Sequence, residues 1–390
     1  MTQEQRYDHV IVGAGIAGSS LAYRLAGHAR VLVLEQEAQP GYHATGRSAA
    51  MFMASYGTQA IRALTRASRA FYERPPAGFA DHPLMTPRGV IYLAGPDDAQ
   101  RLAQTYDELS AAAPEVSRIE AHEILRRVPV LRPERILGGI LEADAQDIDV
   151  HALHQGFLHG MRRQGGELRT RARLIQGRRA GDHWRLTLAD GGVLLAGTVI
   201  DAAGAWADEV ARACAVAPIG LEPRRRSAFT FDGPPDLDFH AWPVVCGIRE
   251  DYYFKPDAGQ LLGSPANADP TVPHDVVPEE LDIATGIHQI QEVSRMTIRR
   301  PRHTWAGLRS FVADGDLVIG WDVAVEGFFW LAAQGGYGIQ TAAAASELAA
   351  ALVLGGPLPG HLKLYGVEAT AFSPARLRRP SPSIPPSVST

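Results

Sequence analysis

A two-domain α/β fold is what the sequence predicts: a Rossmann-like dinucleotide-binding domain and an α+β domain with an antiparallel sheet. Three observations carry this reading. The first is the N-terminal run Tyr7-Asp8-His9-Val10-Ile11-Val12-Gly13-Ala14-Gly15-Ile16-Ala17-Gly18, followed by Val31-Leu32-Val33-Leu34-Glu35. The second is the length of 390 residues, more than one simple core accommodates. The third is a change of pattern near residue 221, where strands alternating with helices give way to short strands rich in aromatics.

The N-terminal run reads as an apolar strand, a Gly-x-Gly-x-x-Gly turn, an amphipathic helix and a second apolar strand closed by an acid. Gly13 permits the tight turn, Gly15 lets the backbone approach a pyrophosphate, and Gly18 lets the helix pack on the strand. The helix N-terminus aims free N–H groups at phosphate. Glu35 stands 22 residues after Gly13, where a carboxylate accepts hydrogen bonds from a ribose diol. An acid there argues for FAD or NAD rather than NADP.

Composition narrows the class. A hydrophobic fraction of 46% and a charged fraction of 21% are ordinary for a soluble enzyme, and a net charge of −5 gives no sign of a nucleic-acid binder. Cys214 and Cys246 make neither a C-x-x-C motif nor a disulfide framework, which fits a reducing compartment. The first six residues lack a basic stretch backed by an apolar one, so no secretory signal is expected. No run reaches the ~18 apolar residues of a spanning helix. The nearest, 341–354, is Ala-rich, interrupted by Ser346 and Glu347, and reads as a buried helix. A soluble cytoplasmic protein is expected.

Further along, 41–52 opens as a loop of small and polar residues whose second half suits a helix start. It either presents N–H donors to phosphate or a flavin ring, or is a plain surface loop. A helix at 60–73 ends at the break 74–78. A strand at 89–93 and helices at 97–112 and 121–127 begin the second domain. A helix at 149–163 and strands at 167–175, 184–188 and 194–200 return to the first. The last strand runs into Ala202-Ala203-Gly204-Ala205-Trp206, where a cofactor or another backbone approaches closely. Strands at 227–231, 244–248 and 252–255, a loop at 266–279 and a helix at 281–293 complete the antiparallel part. Short strands at 317–320 and 328–331 lead to Gln334-Gly335-Gly336-Tyr337-Gly338-Ile339-Gln340, a second Gly-rich helix start. The expected organisation assigns 1–87, 150–222 and 303–372 to cofactor binding and 88–149 and 223–302 to substrate binding. The Pro-rich tail 373–390 is expected to be disordered.

The N-terminal unit, Gly46-Arg47-Ser48-Ala49-Ala50, Ala203-Gly204-Ala205-Trp206 and the C-terminal Gly-rich start together resemble the D-amino-acid oxidase and glycine-oxidase group of flavoproteins. Within it the chain is most similar to FAD-dependent D-arginine dehydrogenases, through 41–50, 225–229, 261–270, 283–286, 304–317 and 326–341. The resemblance implies a two-domain flavoprotein with non-covalent FAD that oxidises the Cα–N bond of a D-amino acid. It implies cofactor contacts at Gly13, Gly15, Ala17, Gly18, Glu35, Gln36, Arg47, Ser48, Ala49, Ala50, Leu174, Gly204, Trp206, Gly335, Gly336, Tyr337, Gly338, Ile339 and Gln340. It places a carboxylate clamp on Arg226, Tyr253 and Arg309, a mobile aromatic on Tyr56 and a polar contact beside the flavin on Gln340. The chemistry agrees, because a planar guanidinium grips a carboxylate bidentately and orients the substrate.

Two departures bear on the substrate. Where the D-arginine enzymes carry a histidine and a threonine, this chain has Met51 and Met53, and their cation-facing glutamate falls at or beside Val90. With Val244 and Cys246 these form the expected substrate pocket. Neither Met51 nor Val90 pairs a guanidinium, so apolar or neutral side chains are expected over arginine and lysine.

Other clusters read more simply. His151, His154 and His159 lack a partner acid and a third ligand for zinc, and a helix-surface pair is expected; no metal site is. The basic runs 299–302 and 376–379 read as solvated faces. Neither cysteine lies in the C-terminal flavin-facing segment, so FAD is expected to be non-covalent. The expected reaction is hydride transfer from Cα to flavin N5, with hydrolysis of the imino acid to a 2-oxo acid and ammonia. An unknown electron acceptor, a quinone or electron-transfer protein, completes the cycle. An oxidase passing electrons to oxygen, a 2-hydroxy-acid dehydrogenase and a non-catalytic flavin-binding protein remain alternatives.

Overall fold

The apolar runs near the N-terminus lie side by side as parallel strands, Gln5–Val12 and Val31–Leu34, in the middle of an eight-stranded sheet. The computed structural model describes residues 5–113 and 115–377. Side chains alternate across these strands. Ile11, Val31 and Val33 pack with the helices Ile16–Leu25 and Gly338–Val353, while Val10, Val12, Leu32 and Leu34 pack with Trp184, Leu186 and Trp330. Burial on both faces is why the runs are continuously apolar rather than alternating.

The strand Val193–Asp201 is the branch point of this sheet. Its first half pairs antiparallel with His183–Leu188, and its last residues pair parallel with Phe328–Ala332. On its other edge it pairs parallel with Gln5–Val12 from Leu194 to Asp201. The carboxyl ends of these parallel strands and the Gly-rich turn therefore open on one edge, where the fold places ligands.

A nine-stranded sheet makes the second layer, antiparallel except where Val244–Gly247 runs parallel to Val90–Ala94. One face carries Ile91, Leu93, Val245, Phe229, Phe231 and Phe254, packed with Ile283 and Ile290 of the helix Glu280–Val293. The other face carries Val90, Tyr92, Val244, Cys246 and Tyr253, and this is the face turned to the site.

The mixed α/β architecture and the antiparallel sheet agree with the fold expected from sequence. Several details differ. No helix follows 41–49; Met51–Phe52 is a short strand pairing with Gln146–Ile148. The segment read as one strand at 167–175 is two, Glu167–Arg169 and Leu174–Ala180, on opposite edges of the first sheet. The strand His303–Phe311, assigned to the cofactor part, pairs along its length with Glu222–Phe231 of the second sheet. That pairing sets two charged or aromatic strands together, which hydrophobic periodicity does not reveal. Of the tail read as disordered, Pro374–Leu377 forms a 3-10 turn with Pro374 buried and Arg376 bonded to Asp314; 378–390 lie outside the described residues.

Candidate active site

The Gly-rich turn is held by side chains from three distant places. The Ala14 N–H donates to Glu35 Oε2 (3.0 Å), the Ile16 N–H donates to Thr45 Oγ1 (3.0 Å), and His154 Nε2–H donates to the Ala14 carbonyl (2.9 Å). Gly13 adopts φ +105°, and a Cβ there would press on the Ala202 carbonyl. A Cβ at Gly18 would land on the Gly13 carbonyl oxygen. The N–H groups of Gly15 and Ala17 have no partner among the described residues. They are orphan donors of a helix start, a ready-made phosphate site.

Both residues border a cavity of about 310 Å³. Glu35, Gln36, Leu174, Gly204 and Trp206 border it as well, together with Gly13 and Gly335. Glu35 uses one oxygen for each of the Ala14 and Glu37 N–H groups, which leaves acceptor capacity on both. Orphan donors, a cradle that a Cβ would fill and a buried acid fit the adenosine and pyrophosphate half of FAD.

A second cavity of about 110 Å³ shares Ile16, Ala44, Thr45, Leu308, Gln334 and Gly335 with the first. Ser48, Ala49, Gly336, Gly338 and Ile339 border it, and so do Arg226, Tyr253 and Arg309. The sheet explains why these three converge. Arg226 pairs with Gly307 while Arg309 lies two residues further along the same strand, so both guanidinium groups rise from one face. Tyr253 sits on that face opposite Cys246.

The surroundings of the arginines are chemically unusual. Arg226 donates through Nε to the Asn267 carbonyl (2.5 Å), and Arg309 donates through Nη1 to the Tyr56 hydroxyl (3.2 Å). Neither meets a carboxylate among the described residues. Burial, and then the like charge of Arg309, hold Arg226 below its ordinary value, yet a guanidinium stays cationic. Two enclosed positive charges without a counter-ion make a site for a bound anion.

Beyond Tyr253 this face of the second sheet is apolar, and Met51, Met53, Val90, Val244 and Cys246 border neither of the two cavities. Val244, Val90 and Glu142 form one row across three strands, and Tyr253, Cys246, Tyr92 and Ile140 form the next. Met51 and Met53 pack against the same cluster. The charges at its edges have internal partners. Glu142 accepts from Ser55 Oγ (2.5 Å) and the Ser55 N–H (3.3 Å), and burial raises its pKa. Buried Lys255 pairs with Asp147, which also accepts from Arg88 (2.6 Å). Burial pushes the Cys246 thiol up to about 12, so it remains a thiol.

Some expected residues occupy other places. Arg47 borders the second cavity beside Ser48 and Ala49, while its guanidinium bonds the carbonyls of Tyr42, Val276 and Ala306 and the Asp275 carboxylate as a strut between loops. Gln340, 3% exposed, donates to Thr65 Oγ1 (2.9 Å) and accepts from the Met53 N–H (3.3 Å). It ties the Met51–Met53 segment to the core and borders neither cavity. Ala50 and Gly18 likewise support the walls from behind. Tyr337 packs against Tyr56 with the two rings tilted by 60° and their centroids 4.9 Å apart. His154, read as surface, is 4% exposed. No group of His, Cys, Asp and Glu among the described residues suits a metal ion.

Thr45, Glu142, His154 and Lys255 escaped the sequence reading. Only Lys255 left a local signal, since it follows Tyr253 by two in a strand and must share its face.

Asp201, fully buried at the end of the branch strand, offers a stability test. One oxygen accepts the Ala203 N–H (3.1 Å) and the other has no partner. Burial raises its pKa well above the carboxylate range. The unfolded chain therefore releases this proton at lower pH than the folded chain, and stability is lost as pH rises between those two points. Asp201→Asn removes that loss. Its melting temperature should match wild type near pH 4 and exceed it by ~2–4 °C at pH 8, the shift of roughly 1 kcal/mol. An equal gap at both pH values would contradict the assignment.

Known proteins show the same architecture. The glycine oxidase of Geobacillus kaustophilus superposes with a TM-score of 0.81 at 21% identity, covering 97% of this chain and 100% of that one. Among curated proteins, the tRNA 5-methylaminomethyl-2-thiouridine biosynthesis bifunctional protein MnmC of Burkholderia vietnamiensis is 27% identical over 325 residues, 80% of this chain and 45% of that one. The L-2-hydroxyglutarate dehydrogenase of Escherichia coli K12 is 25% identical over 268 residues, 66% of this chain and 56% of that one. The chain thus spans about half the length of these two curated relatives. Residues 8–352 match the family described as DAO, FAD dependent oxidoreductase, and the chain belongs to that family of FAD-dependent enzymes.

Proposed function

We propose that the protein oxidatively deaminates D-amino acids with apolar or neutral side chains. The observation that carries this reading is the pair of enclosed guanidinium groups, Arg226 and Arg309, with no carboxylate partner among the described residues. A substrate α-carboxylate supplies the missing charge, gripped in the bidentate geometry that arginine favours. Tyr253 adds a neutral donor at the same cavity, and the Tyr56 hydroxyl accepts a hydrogen bond from Arg309.

FAD, when bound, supplies a two-electron acceptor for the hydride that leaves Cα. Gly15, Ala17 and Glu35 would hold its adenosine and pyrophosphate half, and Ser48, Ala49, Gly336 and Gly338 would border its ring. The protein's work is positioning: the clamp fixes the carboxylate, so Cα and the amine have few orientations left. The amine gives up its proton to water, and water then hydrolyses the imino acid to a 2-oxo acid and ammonia. Neither cysteine borders either of these two cavities, which supports non-covalent attachment. In this reading the first sheet holds the cofactor and the second supplies the clamp.

The preference for uncharged side chains rests on Met51, Met53, Val90, Val244 and Cys246, together with the internal pairing of Glu142 and Lys255. A D-arginine side chain would find no free acid there. The D hand rests on the sequence resemblance. No helix among the described residues is long and apolar enough to cross a membrane.

Anaerobic mixing with D-amino acids, L-amino acids and 2-hydroxy acids, followed by flavin absorbance, tests this. Apolar D-amino acids should bleach the flavin with kcat/KM at least ~100-fold above D-arginine. Preference for D-arginine would overturn the side-chain reading, and bleaching by L-amino acids alone the stereochemical one. A second reading, oxidation of a 2-hydroxy acid, draws on the similarity to L-2-hydroxyglutarate dehydrogenase, because the clamp suits that carboxylate equally. Reduction by 2-hydroxy acids alone would favour it. Peroxide formed in air would mark an oxidase; its absence would favour a quinone or protein acceptor.

A further inference from the structure

We infer that His154 is a positioning residue for the cofactor pyrophosphate, acting through the peptide that joins Ala14 to Gly15. In a trans peptide the C=O and N–H point in opposite directions. His154 Nε2–H donates to the Ala14 carbonyl at 2.9 Å, and the other end of that same peptide is the Gly15 N–H. This N–H has no partner among the described residues, and Gly15 borders the larger cavity. Holding the carbonyl therefore fixes the direction of the orphan donor and polarises it toward an anion.

The histidine is built for this and for little else. It projects from the helix Val150–Arg163, 140 residues from its partner, and is 4% exposed. Its ring lies against Gly41, where a Cβ would stand 2.9 Å from Cε1 and 3.1 Å from Nδ1. Gly41 therefore leaves space for the ring. Burial lowers its pKa, with His151 as a further like-charge neighbour, and the neutral imidazole still carries the one proton the bond requires. Glu35 and Thr45 hold the peptides on either side through the Ala14 and Ile16 N–H groups. Only His154 acts on the Ala14 carbonyl among the described residues.

Since the family is FAD-dependent, the inference stands apart from the choice of substrate. The test is reconstitution of flavin-free protein with FAD, read by quenching of flavin fluorescence, for wild type, His154→Leu, His154→Gln and His154→Asn. Glutamine carries an N–H near the position of Nε2, whereas leucine has none and the asparagine donor falls short. Leucine and asparagine should weaken FAD binding by about tenfold, and glutamine by less than about threefold. Denaturation of the flavin-free variants should give similar midpoints. ADP, which offers the phosphates without the flavin ring, should show the same ordering. Wild-type affinity in His154→Leu, or equal losses in His154→Leu and His154→Gln, would overturn the inference. If His154→Leu does not fold, the contrast between glutamine and asparagine decides in the same way.

Discussion

Arg309→Leu is expected to lower kcat/KM for the best substrate by about 10³-fold, roughly 4 kcal/mol, while the purified protein remains yellow. Leucine removes half of the anion clamp and leaves the substrate carboxylate with one guanidinium. Arg309→Lys should recover only part of the loss, because an ammonium cannot reproduce a planar two-donor grip. The fold should not suffer. In the ligand-free protein Arg226 and Arg309 are enclosed like charges, and burial together with Arg309 already disfavours the charged form of Arg226. Removing one relieves that repulsion, so the flavin-loaded variant should melt at the same temperature as wild type or higher. Steady-state kinetics, flavin content and thermal melting check this together. A kcat/KM within threefold of wild type would remove the clamp from the mechanism, and loss of flavin would move Arg309 into the cofactor site.

The second large effect belongs to the cofactor. Gly18→Ala should yield protein that purifies essentially without flavin and binds added FAD at least ~100-fold more weakly, the range expected from overpacking by up to roughly 3 kcal/mol. The new methyl group would collide with the Gly13 carbonyl, which belongs to the peptide carrying the Ala14 N–H. If that peptide turns, the bond to Glu35 is lost and the neighbouring donors lose their aim. The ratio of absorbance at flavin and protein wavelengths, followed by FAD titration, measures the result. A full complement of flavin in Gly18→Ala would show that the close approach is dispensable.

The sequence was most legible where the chemistry is local. Gly13, Gly15, Gly18 and Glu35 lie within one strand–turn–helix–strand unit, and their spacing carries their purpose. Arg226, Tyr253 and Arg309 were legible only through resemblance, since no spacing along the chain announces that three strands share a face. The long-range contacts were hidden for the same reason. Arg47 occurs in a loop suited to phosphate, yet its guanidinium meets Asp275, Val276 and Ala306, more than two hundred residues away. His154 reads as part of a polar helix stripe until the Gly-rich turn packs on it. The strand Gly138–Glu142 hides Glu142 because adjacent glycines break any apolar alternation. Charged strands such as Glu222–Phe231 are stabilised by ion pairs, including Arg225 with Asp282, and not by a periodic apolar face alone.

The Arg47 strut also bears on how the cofactor comes and goes. It joins the loop at 41–47 to the loop carrying Val276, and Val276 packs with Ala205, Leu308 and Trp206, which border the larger cavity. A dinucleotide that left between these two loops would first have to open that crossbrace. Release then becomes a local unlocking event, governed by how often the brace breathes open. Two proteins with identical contacts to the same flavin would on this view retain it for very different times, the difference residing in a residue that touches the neighbouring loops.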